Sequence, residues 1–443
     1  MKRQLKRLFN WCPQPQAPNY RVLRQYSKPI LSLVMVGIIA ISIIAASTLA
    51  FSHSPAPTMP TAPTVTPTPI PSPTLTIQPT VKPQSSASPT PIQTSIPTSS
   101  PTPTPIPLWH SSTVDEPYPF VPYNGVGSYT SLALDSSGKA HISYWDMGLS
   151  WSPSNASLKY ASQTGTTWNI QFVDSIPKGA YSSLALDSND FPHISYYNYS
   201  ALEYVWWNGT AWNKQTVDSA GNVGSFPSLV LDSRGYPHIS YYDSSNGSLK
   251  YAEWNGATWN IQVVDSSENV GSVSSLALDK SGKPHISYFD VTASSLKYVS
   301  LIGAEWILQT VDNASSGYCS LALDSSGNPH ISYQPSGRGL AYASWDGTIW
   351  SVQIVNSSPY VGSYCSLALD SNDYPHISYQ DSSDVAAYPK LGYAEFNGNK
   401  WNIQIVSSGA VGFYTSLALD KTGRPHISYM NGKAGGLFYS TLG

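Results

Sequence analysis

The sequence predicts an all-β fold, a seven-bladed β-propeller, and two observations lead to it. The first is a repeated phrase: Ser-Leu-Ala-Leu-Asp, a tight turn and His-Ile-Ser-Tyr occur seven times, with small variations, in the C-terminal three quarters of the chain. The second is the spacing of its histidines, 45 to 52 residues, which is typical of propellers with one blade per repeat. The seven histidines are His141, His193, His238, His285, His330, His376 and His426.

Residues 271–312 illustrate how one repeat fills one blade. Small and large residues alternate before the first turn, and Pro284 follows that turn at a strand start, where its missing N–H is tolerated. No stretch has the 3.6-residue period of an amphipathic helix. The predicted strands are Val273–Asp279, His285–Phe289, Leu296–Leu301 and Trp306–Val311. Four antiparallel strands with tight hairpins therefore account for the whole period.

The ends of the repeat region predict how the ring closes. The first three strands occur seven times, but the Trp-led fourth strand occurs only six times within the repeats, and the last repeat ends at Gly443 without one. The segment Trp109–Asp115 has the fourth-strand pattern, Trp at its start and Val-Asp at its end. We therefore expect this N-terminal strand to complete the C-terminal blade, which leaves no open sheet edge between the first and last blades.

The N-terminal part lacks the repeat, and its first two segments differ in charge. Residues 1–29 carry seven basic side chains and no acidic one, and residues 30–51 are 22 residues without a charge. A helix over 30–51 spans about 33 Å, enough to cross a hydrocarbon core of about 30 Å. The basic flank predicts a cytoplasmic tail, so the propeller is expected outside the cell on a single-pass membrane anchor. The alternative is a cleaved signal peptide, with Thr48 and Ala50 as small residues before the cut.

Residues 52–107 contain 17 prolines among many Thr and Ser residues, and no aromatic residue. Such a segment buries too little apolar surface to fold, which predicts an extended, disordered stalk. The stalk is expected to carry a propeller of residues 108–443. Ser and Thr beside Pro also suit O-glycosylation, and a bare spacer is the alternative.

The charge distribution excludes one class of partner. All 26 acidic residues lie at or after Asp115, where only 15 of the 23 basic residues are found. Because nucleic acids select basic surfaces, the acidic propeller predicts no nucleic acid partner. Cys319 and Cys365 occupy the same position in successive repeats, and such positions on adjacent blades are usually too far apart for a disulfide. Two buried free thiols are therefore expected, with a cross-strand disulfide as the alternative.

The repeated histidines and aspartates are interpreted as structural, and no metal or other cofactor is expected. Metal sites need three or four converging ligands, whereas one histidine per blade is spread around a ring. Each imidazole is expected to bond a backbone carbonyl or an Asp of its own blade, and each Asp to cap the first hairpin turn. Calcium in these turns is the alternative, although the Asp-x-Asp-x-Asp-Gly spacing is absent. The aspartates are Asp135, Asp187, Asp232, Asp279, Asp324, Asp370 and Asp420.

Candidate ligand-binding residues are those that vary on one face of the ring. The loops from second to third strands and from fourth to first strands share that face, and six of the seven repeats carry an aromatic residue just before the innermost strand. Aromatic rings at the channel mouth suit stacking on sugars or other flat apolar ligands, and a packed plug is the alternative. The candidates are Tyr129, Tyr181, Phe226, Tyr318, Tyr364 and Tyr414 at the mouth, flanked by Trp145, Trp151 and Tyr388.

The hairpin phrase, for example Leu323–His330, resembles the turns of extracellular prokaryotic Asp-box, sialidase-like propellers, over about residues 109–443. The likeness is to the fold, since the tryptophan of the Asp-box sequence Ser-x-Asp-x-Gly-x-x-Trp is missing here. Sialidases of this shape hold a substrate carboxylate with three arginines. The propeller has only Arg234, Arg338 and Arg424, and two of these fall in first-hairpin turns on the opposite face. No catalytic residue is therefore assigned.

These observations predict a membrane-anchored cell-surface module that binds carbohydrate or a protein partner. The alternative is an extracellular glycan-processing hydrolase or lyase whose catalytic residues lie on the irregular loops. A close cluster of carboxylates, or of Tyr, His and Arg, on the loop face would distinguish the enzyme from the binding module.

Overall fold

The computed structural model describes residues 107–116, 125–148, 156–175 and 181–443. Within this part of the chain, 28 strands form seven four-stranded antiparallel sheets, which confirms the all-β, seven-bladed propeller. The basic tail, the membrane anchor and nearly all of the stalk lie outside the described residues and stay predictions. In the described part, no helix is long and apolar enough to cross a membrane.

Blades 1 to 6 use their strands in chain order, from the channel outward. Blade 1 contains β2 (Val126–Leu134), β3 (Ala140–Asp146), β4 (Ser157–Thr164) and β5 (Thr167–Ser175). Blade 2 contains β6 (Ser182–Leu186), β7 (Pro192–Tyr197), β8 (Leu202–Trp207) and β9 (Trp212–Asp218). Blade 3 contains β10 (Val223–Leu231), β11 (Pro237–Asp243), β12 (Ser248–Trp254) and β13 (Trp259–Asp265).

The remaining blades follow the same plan until the last. Blade 4 contains β14 (Val270–Leu278), β15 (Pro284–Asp290), β16 (Ser295–Ile302) and β17 (Glu305–Asp312). Blade 5 contains β18 (Ser315–Leu323), β19 (Pro329–Pro335), β20 (Leu340–Trp345) and β21 (Trp350–Asn356). Blade 6 contains β22 (Val361–Leu369), β23 (Pro375–Asp381), β24 (Lys390–Phe396) and β25 (Trp401–Ser408). Blade 7 contains β26 (Phe413–Leu419), β27 (Pro425–Asn431), β28 (Gly436–Leu442) and the N-terminal β1 (Trp109–Asp115).

Strand β1 closes the ring as the sequence predicts. It pairs antiparallel with β28, with Trp109 opposite Leu442 and Thr113 opposite Phe438. Val114 is buried in the core between blade 7 and blade 1. The N-terminal strand thus occupies the outermost position of a blade whose other three strands come from the C-terminus.

The antiparallel order gives the ring two distinct faces. The hairpins between first and second strands lie on one face, which we call the turn face. The loops between second and third strands, and between fourth and first strands, lie on the other, which we call the mouth face. Because β1 begins opposite the end of β28, the chain enters the propeller at Leu108 on the turn face.

The innermost strands are joined around the channel by one repeated hydrogen bond. The backbone N–H of Leu184 donates to Ser131 Oγ of the preceding blade at 3.0 Å, and the equivalent bond occurs between every pair of neighbouring blades. The last of them, from Leu132 to Ser416, links blade 1 to blade 7. The serine of the Ser-Leu-Ala-Leu-Asp phrase therefore links neighbouring blades by a hydrogen bond.

The first hairpin turns follow the predicted capping scheme. In blade 4, Asp279 Oδ1 accepts hydrogen bonds from the backbone N–H groups of Ser281 and Lys283, each at 2.8 Å. Gly282 takes a φ of 81°, which a side chain would disfavour. The repeated aspartate thus shapes the turn through its own side chain.

The second strands carry the largest buried side chains. The tyrosine of each His-Ile-Ser-Tyr phrase is at most 1% exposed, between its own blade and the preceding one. In blade 3, the Tyr241 hydroxyl donates to Asp218 of blade 2 at 2.7 Å, and Lys250 Nζ lies 2.6 Å from the same carboxylate. Buried polar groups are thus paired across the boundary between blades.

One prediction about the innermost strands is wrong in detail. In blade 4 the strand begins at Val270, three residues before the expected Val273, and the register shifts between Ser272 and Ser275. This irregularity is a β-bulge, which sequence alternation alone does not reveal. Six of the seven mouth positions, Val273 among them, therefore lie inside a bulged strand, and only Tyr181 lies before its strand.

Candidate functional site at the channel mouth

The bulge determines where the mouth side chains point. In five blades a glycine and, two residues later, the mouth residue lie in the left-handed region; in blade 1 these are Gly127 (φ 94°) and Tyr129 (φ 53°). A tyrosine with positive φ is uncommon and strained. The five mouth residues with this conformation are Tyr129, Phe226, Val273, Tyr364 and Tyr414.

The six aromatic residues predicted at the mouth do lie together. Their rings form a continuous arc, with neighbouring centroids 4.0–4.7 Å apart. The arc is open at blade 4, where Val273 occupies the equivalent position. In order around the channel, the rings are Phe226, Tyr181, Tyr129, Tyr414, Tyr364 and Tyr318.

The arc surrounds a cavity of about 430 Å³ at the centre of the ring. Small residues from the next position of each strand complete its wall, and most are polar, such as Thr130, Ser182 and Ser274. Among the described residues that line it, none is acidic, basic or a histidine. The cavity therefore offers aromatic faces and neutral hydrogen-bonding groups, a combination that suits an uncharged ligand.

The cavity contains tyrosine hydroxyls and cysteine thiols whose pKa is raised. Burial raises the pKa of Tyr129, Tyr318 and Tyr414, and neighbouring tyrosine hydroxyls raise it further. Burial also raises the pKa of Cys319 and of Cys365 to about 12. Both cysteines are free and buried, as the sequence predicts. The tyrosines can thus donate hydrogen bonds, whereas the thiols are unreactive near neutral pH.

The predicted flanking residues are not part of the arc. Trp145 packs against the core between blades 1 and 2, and its Nε1 is buried. Tyr388 is 60% exposed on the mouth face, with Lys433 Nζ 5.7 Å from its ring centroid. Trp151 lies outside the described residues. Of the nine predicted site residues, the structure therefore brings six together.

The seven histidines each take part in one repeated cluster within their own blade. In blade 4, His285 Nδ1 contacts the Tyr298 hydroxyl, and Nε2 lies 3.9 Å from Asp279. Because the carboxylate only accepts, Nε2 carries the proton and Nδ1 accepts from the tyrosine. Burial lowers the pKa of all seven histidines, so they are neutral in the folded protein at pH 7.

The aspartate partner of each repeated histidine was predicted from the sequence, but its tyrosine partner was not. Its signal is present in the sequence, because a tyrosine recurs in every third strand. Within the described residues, no group of three His, Cys, Asp or Glu side chains is arranged to hold a metal ion. The third-strand tyrosines are Tyr160, Tyr204, Tyr251, Tyr298, Tyr342, Tyr393 and Tyr439.

The closed ring of seven four-stranded blades makes this chain a seven-bladed β-propeller. No model of a known protein family matches the sequence, and no curated protein matches it. Solved structures do share its architecture. An ulvan lyase, described as a new family of polysaccharide lyase, is similar with a TM-score of 0.52 and 11% identity, over 73% of this chain and 95% of the lyase.

Two further structures have lower scores. The fucose-specific lectin from Aleuria aurantia is 15% identical with a TM-score of 0.47, over 65% of this chain and 99% of the lectin. A protein of unknown function from Dyadobacter fermentans is 12% identical with a TM-score of 0.43, over 75% of this chain and 98% of that protein. At these identities, the comparisons bear on the fold alone.

Proposed function

We propose that this protein is a cell-surface carbohydrate-binding module, held to the membrane by residues 30–51 and binding a neutral sugar at the channel mouth. The observation that carries the proposal is the arc of six aromatic rings around a cavity of about 430 Å³. Its volume is within the range typical of small-ligand sites. A glycan with one or two sugar rings in the cavity is the ligand class that we expect.

The chemistry of the arc favours a sugar over a purely apolar ligand. A pyranose ring presents C–H groups on its faces, which pack on aromatic rings, and hydroxyls at its edge, which need hydrogen-bond partners. Tyr129, Tyr318 and Tyr414 offer both a ring and a protonated hydroxyl. The strained backbone of Tyr129 and Tyr414 adds support, since strain of this kind clusters at functional sites.

The direction of the chain suits presentation at a surface. The described chain begins at Pro107 and enters on the turn face through Leu108, which pairs with Gly443. The aromatic arc lies on the opposite face. The point where the described chain enters the propeller is thus on the face opposite the candidate sugar site.

We prefer binding to catalysis because the described residues that line the cavity lack the carboxylates that glycan hydrolysis needs. Hydrolysis uses two facing carboxylates, and no acidic side chain is among the described residues that line the cavity. A glycan array and an assay for released sugar on the soluble propeller, residues 99–443, distinguish the two functions. Binding without turnover supports the proposal, and product formation contradicts it.

Replacing one ring of the arc tests whether it binds the sugar. Tyr364→Ala or Tyr414→Ala should weaken glycan binding severalfold, because loss of one stacked ring removes about 1 kcal/mol beyond the area term. Isothermal titration with the glycan found on the array gives the affinities. Thermal melting of each variant shows whether the fold survives.

Two further variants separate binding from packing. Tyr414→Gly removes the same ring but suits the positive φ, so it should bind as weakly as Tyr414→Ala and melt at a higher temperature. Tyr360→Ala, at a tyrosine that is 64% exposed on the mouth face, is the matched control and should bind normally. Unchanged affinity in both alanine variants, with lowered melting temperatures, would show that the arc is packing.

Protease treatment of intact cells tests the membrane topology. If the propeller lies outside on a stalk, cleavage within residues 52–107 should release a soluble, folded fragment into the medium. Antibodies against the propeller and against residues 1–29 follow the two products, and lysed cells serve as the control. Full protection of the propeller in intact cells would contradict the topology, and release without added protease would favour a cleaved signal peptide.

A further inference from the structure

A second kind of concave site occurs between adjacent blades, on the outer part of the turn face. In most of these interblade grooves, the fourth-strand tryptophan of one blade donates its Nε1–H to a glutamine of the preceding blade. The Trp306–Gln262 bond, at 3.0 Å, is an example. The same bond occurs at Trp109, Trp212, Trp350 and Trp401, at 2.7–3.2 Å.

The groove between blades 2 and 3 departs from this pattern. Its tryptophan, Trp259, has a buried Nε1 without a hydrogen-bond partner among the described residues, although Gln215 lines the same groove. A buried N–H without an acceptor is unfavourable and uncommon in folded proteins. The Trp259 N–H and the Gln215 amide, which occupy the positions of the bonded pair in other grooves, thus do not bond to each other.

A second departure lies on the opposite wall. The residue paired with the second-strand histidine is Trp206 in blade 2. In the other blades the equivalent residue is small and polar or a glutamate: Ser162, Glu253, Ser300, Ser344, Glu395 and Thr441. Trp206 stacks on Tyr204, with centroids 5.4 Å apart and an angle of 23° between the rings. This blade alone among the seven presents an indole there.

The groove has the size and the lining of a site for one small ring. Its volume is about 240 Å³, against about 160 Å³ for the equivalent groove between blades 5 and 6. Tyr236 and Trp254 add two more aromatic side chains. Among the described residues that line it, none is Asp, Glu, Lys or Arg, and burial lowers the pKa of His193, which keeps that imidazole neutral.

We propose that the groove between blades 2 and 3 binds one neutral pyranose ring, as a second carbohydrate site separate from the channel mouth. The sugar face packs on the indole of Trp206, one ring oxygen or hydroxyl accepts from Trp259 Nε1–H, and the Gln215 amide bonds another hydroxyl. The two departures from the repeat occur in the same groove and supply complementary parts of one site. This proposal deepens the proposed function, but it does not depend on the mouth being occupied.

The test uses the propeller fragment, which contains all seven closed blades and therefore folds on its own. A glycan array identifies a bound sugar, and its methyl pyranoside is then titrated by calorimetry and by tryptophan fluorescence. Trp206→Ser installs the residue of blades 4 and 5, so the fold should be preserved. It should lower the affinity at the groove about tenfold or more, and remove the fluorescence change.

Two variants refine the assignment. Trp259→Phe keeps an aromatic ring but removes the N–H, and it should weaken sugar binding at the groove severalfold. Trp306→Phe, which makes the same change where the N–H is already bonded to Gln262, is the matched control and should bind normally. If Trp259→Phe and Trp306→Phe bind alike, the Trp259 N–H does not contact the sugar and this contact is refuted.

The outcomes separate this site from the mouth. With both sites active, calorimetry gives two sugars per chain; Trp206→Ser weakens one of the two sites about tenfold or more, and Tyr364→Ala weakens the other severalfold. If Trp206→Ser abolishes all sugar binding, the proposed site in the groove is supported and the proposed site at the mouth is refuted. If Trp206→Ser keeps the wild-type stoichiometry and affinity, or if no glycan on the array binds, the groove proposal is overturned.

Discussion

Removing residues 108–116 should lower the melting temperature of the propeller by about 10 °C or more. The deleted segment contains β1, the outermost strand of blade 7. Its loss exposes the edge of β28 along six paired positions, from Trp109 opposite Leu442 to Asp115 opposite Leu437. It also removes contacts on both sides of the blade, because β1 faces blade 6 at one end and blade 1 at the other.

The size of the effect follows from those contacts. Trp109 donates to Gln404 of blade 6 at 2.9 Å and packs edge-on against Tyr393. Asp115 accepts from the Tyr144 hydroxyl of blade 1 at 2.7 Å. Burial of Val114 and Trp109 contributes roughly 4 kcal/mol, and the lost hydrogen bonds several more. A loss of about 5 kcal/mol corresponds to at least about 10 °C for a domain of this size.

The measurement compares two soluble fragments by calorimetry, residues 99–443 and residues 117–443. A fragment of residues 108–443 is the control, since it loses residues before the strand but keeps β1. Val114→Asp in the longest fragment places a charge in the core and should have an effect in the same direction. Equal melting temperatures for the fragments with and without β1 would mean that this strand does not hold the ring closed.

The second large effect is a loss of stability when the pH falls from 8 to 5. Burial lowers the pKa of all seven repeated histidines in the folded protein. In the unfolded chain, the same histidines take up protons near their ordinary pKa of about 6.5. Between that value and the lower folded pKa, the unfolded state therefore binds more protons.

The sign and the size follow from this difference. Stability rises with pH wherever the unfolded state binds more protons, so it is full above about pH 7 and is lost as the pH falls through 6.5 toward the folded pKa. Each histidine adds about 1.4 kcal/mol per pH unit while it differs by a whole proton. Seven equivalent clusters acting together make the slope steep.

Denaturant unfolding at half-unit pH intervals measures the slope. His285→Gln removes one of the seven buried imidazoles and should reduce the slope by about one seventh of the histidine contribution. His110→Gln, at an exposed position on β1, is the matched control for the loss of a histidine outside the buried clusters. A free energy of unfolding that stays constant from pH 8 to pH 5 would mean that the buried histidines take up protons as readily in the folded protein as in the unfolded chain.

Much of the architecture could be predicted because a propeller repeats its local pattern. The spacing of the seven histidines gives the number of blades, and the count of Trp-led strands places Trp109–Asp115 in the last blade. The hairpin role of Asp279 and the free state of Cys319 and Cys365 also follow from their position in the repeat. Each of these inferences needs only short-range chain geometry and comparison between repeats.

The sequence predicted which aromatic residues line the mouth, but not how their side chains are arranged. Aromatic residues recur at the mouth position of six repeats, and this can be read from the sequence. Their stacking into an arc, however, depends on bulges that give Tyr129 and Tyr414 positive φ. Trp145 was expected on an irregular loop beside the mouth, but it lies in β3 and packs between blades 1 and 2. Side-chain direction at such points depends on neighbours that lie about 50 residues away in the chain.

The sequence by itself determined the blade count, the closure by the N-terminal strand and the inward place of the Ser-Leu-Ala-Leu-Asp strand, because each is a consequence of local patterning repeated seven times. Only the tertiary structure decided which residues meet across blade boundaries. It opened the aromatic arc at Val273, paired each histidine with a third-strand tyrosine, and left Trp259 without the glutamine partner that other tryptophans have. The physical reason is that a repeat specifies each blade separately, whereas sites form between blades, where a single changed side chain alters the contact.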